Sequence, residues 1–190
     1  MSRISGAEAN STLRIVRAIW HNPRISRVDI AARTGLDKST VTNRVSRLIE
    51  LGMVREIAEG SAGLKGGRKP IHLAINPSYG RTIGLEVQVE SYTAVVTDLS
   101  GEVLGETKGR TRIGPGDFSA VVLGIIEESI GKLCPDPSLL LGIGVGTGGL
   151  VDQKKGRIRY SVPLGIDAPI DFVKAVTPRL PVPCYLENDA

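Results

Sequence analysis

The chain has 190 residues, among them 24 Lys+Arg, 20 Asp+Glu, two cysteines and seven aromatics. That length allows one large domain or two small ones, and an apolar content of 41% excludes a disordered tail. The longest apolar stretches, Val121–Ile126 and Leu139–Val145, fall far short of the roughly 18 residues of a membrane span.

The polar start, MSRISGAEAN, lacks a signal-peptide core, so a cytoplasmic protein with no membrane partner is expected. Cys134 and Cys184 have no companions at metal-ligand spacing, so neither a disulfide scaffold nor a metal site is indicated. Charge is unevenly spread. Residues 1–75 hold 13 basic and 6 acidic side chains, whereas residues 76–190 hold 11 basic and 14 acidic ones. A basic first part joined to a mildly acidic remainder suggests that only the first part meets a polyanion.

In chain order, Asn10 or Ser11 can cap a helix with Leu13, Val16, Ile19 and Trp20 on one face. Ser26, with Asp29 three residues on, has capping-box spacing for a second helix that stops at Thr34-Gly35. Asp37 caps a third helix running to about Leu51, and Gly52 stands where a left-handed cap belongs. Val41, Val45, Leu48 and Ile49 form its inner face. Met53–Ile57 and Ile71–Ile75 can pair around the glycine-rich stretch 59–70 as a wing. The spacing Ala31, Gly35, Val41 lets two helices approach, turn and lock, which is a helix-turn-helix.

The outer face of the third helix offers Lys38, Ser39, Thr40, Thr42, Asn43, Arg44 and Arg47. Asn suits adenine and Arg suits guanine in the major groove, while hydroxyls reach phosphates or base edges. Arg68 and Lys69, on the narrow Gly66-Gly67-Arg68-Lys69-Pro70 backbone, suit an A·T-rich minor groove. A flexible linker with incidental charge explains those two residues equally well.

Past Pro77 the pattern predicts strands at Thr82–Val89, Tyr92–Asp98 and Gly101–Thr107, then a helix over 117–133. The fully apolar Leu139–Gly146 reads as a buried parallel strand. A short helix near Ile170–Val176 and a last strand, Val182–Leu186, complete an α/β layered pattern. Asp152 reads as a turn residue, and His21 and His72 as isolated side chains. The expected domains are therefore 1–75, a winged helix-turn-helix, and 76–190, an α/β unit.

Several ordered pieces resemble one family, the ROK proteins, a group of sugar-responsive repressors and sugar kinases. They are the winged helix with its GRKP arm, Gly84-Leu85-Glu86, the stretch Thr97–Leu104, GIGVGTGGLVD at 142–152 and PVPCYLENDA at 181–190. The resemblance implies a sequence-specific transcriptional regulator of the xylose-repressor type, expected to repress carbohydrate genes in response to a sugar. It implies an actin-like (ribonuclease H-like) lobe at 76–190, incomplete, since family members continue past this point into a zinc motif and a second lobe. A fragment or a shortened product is expected, with no cofactor inside this chain. The implied partners are an operator DNA, a sugar effector and a second copy in a homodimer or higher homo-oligomer. By the same resemblance Asn188 and Asp189 contact sugar hydroxyls; the plain alternative is an Asx turn ending a strand.

Sugar kinases of the family carry Asp-x-Gly-x-Thr on the first hairpin, where this chain has Glu86-Val87-Gln88-Val89-Glu90. Gln88 crowds the path of a phosphate and Glu90 repels it, so a non-enzyme is expected. The alternative is a sugar kinase with an appended DNA-binding head.

Overall fold

The computed structural model describes residues 6–59, 71–114 and 116–189. It divides into two compact units, Met1–Tyr79 and Gly80–Ala190.

The first unit contains α1 (Gly6–His21), β1 (Ile25–Ser26), α2 (Arg27–Thr34), α3 (Lys38–Glu50), β2 (Val54–Glu59) and β3 (Ile71–Ile75). The Ser26 hydroxyl accepts from the Asp29 amide while Asp29 accepts from the Ser26 amide, closing the capping box. Gly35, at φ 65°, turns the chain after α2 and donates to the Ala31 carbonyl at 2.9 Å. Asp37 caps α3 by accepting from the Thr40 amide at 2.8 Å, and Gly52, at φ 78°, follows its end. Ile15, Ile19, Ile30, Val41, Val45, Leu48 and Leu73 are buried between these helices and the sheet. Complete burial of a side chain of this size stabilises by about 1.5–3 kcal/mol, which is what holds so small a unit together.

Two features differ from the sequence reading. The expected inner face of α1 holds only in part, at Ile19, which is buried, and Val16, which is half-buried. Ile15 and Ile19 are buried, whereas Leu13 is 49% exposed and Trp20 48%. The helix starts at Gly6 and presents the line Glu8, Thr12, Ile15, Ile19 to its neighbours, so Leu13 and Trp20 are turned outward. The other difference is β1, which was not anticipated. It pairs antiparallel with β3, Ile25 opposite Leu73, giving the order β1-β3-β2. Two residues carry no periodicity. The strand instead follows a turn in which Arg24, at φ 70°, donates to the Leu73 carbonyl at 3.2 Å.

The second unit opens with β4 (Arg81–Val87), β5 (Ser91–Asp98) and β6 (Val103–Arg110), an antiparallel meander. α4 (Phe118–Leu133) then crosses to β7 (Leu140–Thr147), which lies parallel to β4. The hairpin β8 (Leu150–Asp152) and β9 (Arg157–Tyr160) leads to α5 (Phe172–Val176) and β10 (Cys184–Asn188), parallel to β7. The sheet order is β10-β7-β4-β5-β6. Ile83, Leu85, Val96, Ile143 and Val145 line one face under α4 and α5, where Phe118 and Phe172 meet edge to face at 5.5 Å.

β7 is parallel to both neighbours, as its apolar run predicts, but it is not buried on both faces. Ile143, Val145 and Thr147 are buried, while Gly142, Gly144 and Gly146 alternate with them on the opposite face. That face carries two open cavities of about 530 and 400 Å³. Cys134 and Cys184 are free and buried, and burial pushes the Cys184 thiol up to about 11. No described helix is long and apolar enough to cross a membrane.

Candidate nucleic-acid interface and effector site

α3 has an inner face of Val41, Val45 and Leu48, so the residues between them are set by the 3.6-residue period to point away from the core. Lys38, Ser39, Thr42, Asn43 and Arg47 are exposed, and Thr40 is half-buried. The side chains are not equally available. Ser39 and Thr40 donate their hydroxyls to the two carboxylate oxygens of Asp37, each at 2.6 Å. These contacts hold the Asp37 carboxyl well below the ordinary carboxylate range. Thr42 donates to the Lys38 carbonyl at 2.8 Å. Arg47 reaches Glu50 at 3.0 Å in an exposed pair of the kind that exchanges readily with solvent or ligand.

Arg44 differs from its neighbours on the helix. Its guanidinium is half-buried and donates to Glu8 Oε1 at 2.7 Å, tying α3 to α1. Sequence reasoning missed Glu8, because only the packing of α1 across α3 brings positions 36 residues apart together. A second unanticipated tie, Arg27 to Glu56 at 3.0 Å, fixes the start of α2 to the wing strand β2. Arg68 and Lys69 lie outside the described residues.

The effector candidates stand at the carboxyl ends of β7 and β10, the edge at which open α/β sheets bind ligands. Asn188 lies opposite Thr147 in the ladder, and its amide donates to the Gly149 carbonyl at 2.7 Å. The Asp189 carboxylate lies over Gly148, where an added Cβ would stand 3.5 Å from its Oδ2. The fold therefore brings Asn188, Asp189 and Gly148-Gly149 together, although 39 residues separate Asn188 from Gly149. Asp189 also borders the 530 Å³ cavity, beside Glu86, Glu187 and Gly146.

Two neighbours were not foreseen. Gln153 donates to Glu187, and Gln88 donates to Glu86 Oε1 at 3.0 Å while accepting from the Ser91 hydroxyl at 3.2 Å. Asp152 accepts from the Lys155 amide at 3.2 Å and is the turn residue expected. Among the described residues no group of three His, Cys, Asp or Glu is arranged to hold a metal ion.

An exposed polar and basic helix in a three-helix head with a wing is the architecture of a winged helix-turn-helix, and an α/β unit with polar groups at its strand ends follows it in the chain. Residues 10–55 match the family described as winged helix-turn-helix DNA-binding. The chain is 32% identical over 177 residues to the xylose repressor of Bacillus subtilis, covering 93% of this chain and 45% of that protein. It is 28% identical over 179 residues to the Escherichia coli DNA-binding transcriptional dual regulator NagC, covering 92% and 43% respectively. The fold matches the crystal structure of a ROK family transcriptional regulator, a homologue of the E. coli MLC protein. There the TM-score is 0.75 at 22% identity, over 95% of this chain and 45% of that one. The chain is thus similar in sequence to these regulators and shares the fold of that ROK family regulator, the fold its motifs predict. It spans less than half the length of the relatives it matches.

Proposed function

We propose that this chain supplies the operator-reading head and part of the effector-sensing lobe of a sugar-responsive transcriptional repressor. The observation that carries most weight is the face of α3, where Lys38, Asn43 and Arg47 stand exposed on a helix held by Asp37 at one end and by Val41, Val45 and Leu48 below. Asn43 and Arg47 read base edges, Lys38, Ser39, Thr40 and Thr42 position the helix against phosphates, and Arg44 holds it to α1. Arg68 and Lys69 extend the contact along a flanking minor groove. The protein acts in the cytoplasm as a homodimer or higher homo-oligomer on two half-sites.

A sugar, with xylose the first to try, bonds Asn188 and Asp189. An amide beside a carboxylate matches a hydroxyl that both donates and accepts. It changes DNA affinity only through unequal affinity for two arrangements of the paired heads. Phosphoryl transfer is not part of this reading. Gln88 fills the turn and is bonded to Glu86 where kinases need bare backbone, and Glu90 adds negative charge.

The test is binding to the DNA upstream of the protein's own gene, titrated against salt, with xylose and a panel of common sugars. Preference over random DNA by roughly a thousandfold or more supports a specific regulator. Equal binding of both DNAs with a steep salt slope would leave only charge at work and overturn it. Sugar-dependent ATP turnover lost in Asp189→Asn would restore the kinase reading.

A further inference from the structure

Beside the helix-turn-helix lies an open notch of about 310 Å³ between α1 and α2, whose polar lining is Arg14, Arg17, His21, Asn22, Arg33 and Thr34, with Ala18 between them. Three of these six are permanent cations and none is a carboxylate. Among the described residues no carboxylate pairs directly with Arg17 or Arg33, although Asp29, one turn earlier on α2, feels the Arg33 charge. Helix ends account for part of the cluster, because His21 and Arg33 stand in the last turns of α1 and α2, where positive charge offsets the carbonyl dipoles. Arg14 is spent on the Thr34 carbonyl at the end of α2. Neither reason covers Arg17, which lies a turn inside α1, is exposed and lines the same notch.

The location gives the cluster a use. Thr34 ends α2, and Arg14 Nη2 lies 3.9 Å from where a Cβ on Gly35 would be, so the notch abuts the turn that leads into Lys38, the first residue of α3. A recognition helix enters the major groove by its start, and the strands bounding that groove run past the turn before it.

We propose that the notch is a second DNA-contacting site, in which Arg17 and Arg33 hold a backbone phosphate beside the groove segment that α3 enters. This rests on the DNA-reading function above and adds to it a contact that carries affinity without sequence information.

The experiment uses the full chain and Arg17→Gln, Arg33→Gln and the double variant, which remove charge and keep length and helix propensity. Lys174→Gln, on the short helix α5 of the second unit, is the control. Affinity for upstream and random duplexes is measured against salt. Each notch substitution is expected to lower the salt slope by about one and to weaken both duplexes by the same factor, with the control unchanged. Duplexes carrying single methylphosphonates supply a readout that a purely structural role would not move. One neutral position should weaken the wild type and cost the double variant nothing more.

Competition by inorganic phosphate tests the other source of the same chemistry. Arginine-dependent binding of free phosphate together with an unchanged slope would assign the notch to a small anion and overturn the proposal. An unchanged slope in folded variants that still prefer upstream DNA overturns the proposal alone. A wild type that shows no preference for upstream DNA overturns the DNA-reading function and the proposal with it. Should the double variant fail to fold, Arg17→Gln, at an exposed position inside α1, still decides.

Discussion

Arg44 Nη2 donates to Glu8 Oε1 at 2.7 Å, so a side chain on the reading helix is committed to the helix behind it. The pair is partly exposed on both sides, which limits its contribution to about 0.5–1 kcal/mol. Arg44→Ala is therefore expected to lower the unfolding midpoint slightly and leave base preference unchanged in a binding-site selection. Asn43→Ala and Arg47→Ala should each relax preference at one base position, at a cost of about 1–3 kcal/mol there. A selection in which Arg44→Ala alters a base would show that the pair opens on DNA.

The capping box of α2 gives a second expectation. Ser26 is nearly fully buried, and bonds from Ser26 hold the Asp29 carboxyl below its ordinary value. Ser26→Ala removes the hydroxyl that accepts from the Asp29 amide and should cost about 1 kcal/mol. Ser26→Thr should recover most of it. Urea unfolding of the three proteins side by side checks both statements.

Acid should act through Asp98. Desolvation pushes this buried carboxyl up, but bonds from the Ser100 hydroxyl and from the Glu102 and Ser100 amides outweigh it and leave it below 3.8. A group depressed in the folded state stabilises fully above its unfolded value and loses that contribution as pH falls through the folded one. Wild type should therefore exceed Asp98→Asn in stability at neutral pH, and the gap should narrow as pH drops below about 4. A gap that stays constant down to pH 2 would contradict this.

Two glycines of β7 and its following turn should respond oppositely to the same change. Gly149 has φ 123°, and an added Cβ would overlap the Tyr160 carbonyl and approach Ser161 Cβ to 2.7 Å. Gly149→Ala should cost more than about 2 kcal/mol, from strain and overlap together. A Cβ on Gly144 meets nothing within 4 Å, so Gly144→Ala should change stability by less than about 0.5 kcal/mol. Thermal unfolding of both variants decides.

The head was legible where its signals are local. The Ser26–Asp29 spacing, the positive φ at Gly35 and the Asp37 cap all follow from residues three or four apart, and each appears in the fold. The orientation of α1 was only partly legible, because Ile19 belongs both to the expected face with Leu13, Val16 and Trp20 and to the line with Ile15 that the fold buries. The packing of α2, α3 and β3 against α1 decides which residues are covered. The candidate effector edge was readable as residues but not as an assembly. The contact between Asn188 and Gly149 depends on β7 and β10 becoming neighbours, which no window of sequence contains.

The order of strands in the second unit also sets an order of events during synthesis. β4, β5 and β6 are consecutive and can zip together from local turns as soon as they emerge. The other edge of β4 finds its partner only when Leu140–Thr147 has been made, and β7 waits again for Cys184–Asn188. Until then a long, apolar strand edge is open on the nascent chain, beside a head whose contacts are already complete. Crowded expression therefore endangers the second unit rather than the helix-turn-helix head. Slow synthesis or chaperone capture at that stage is where its yield is decided.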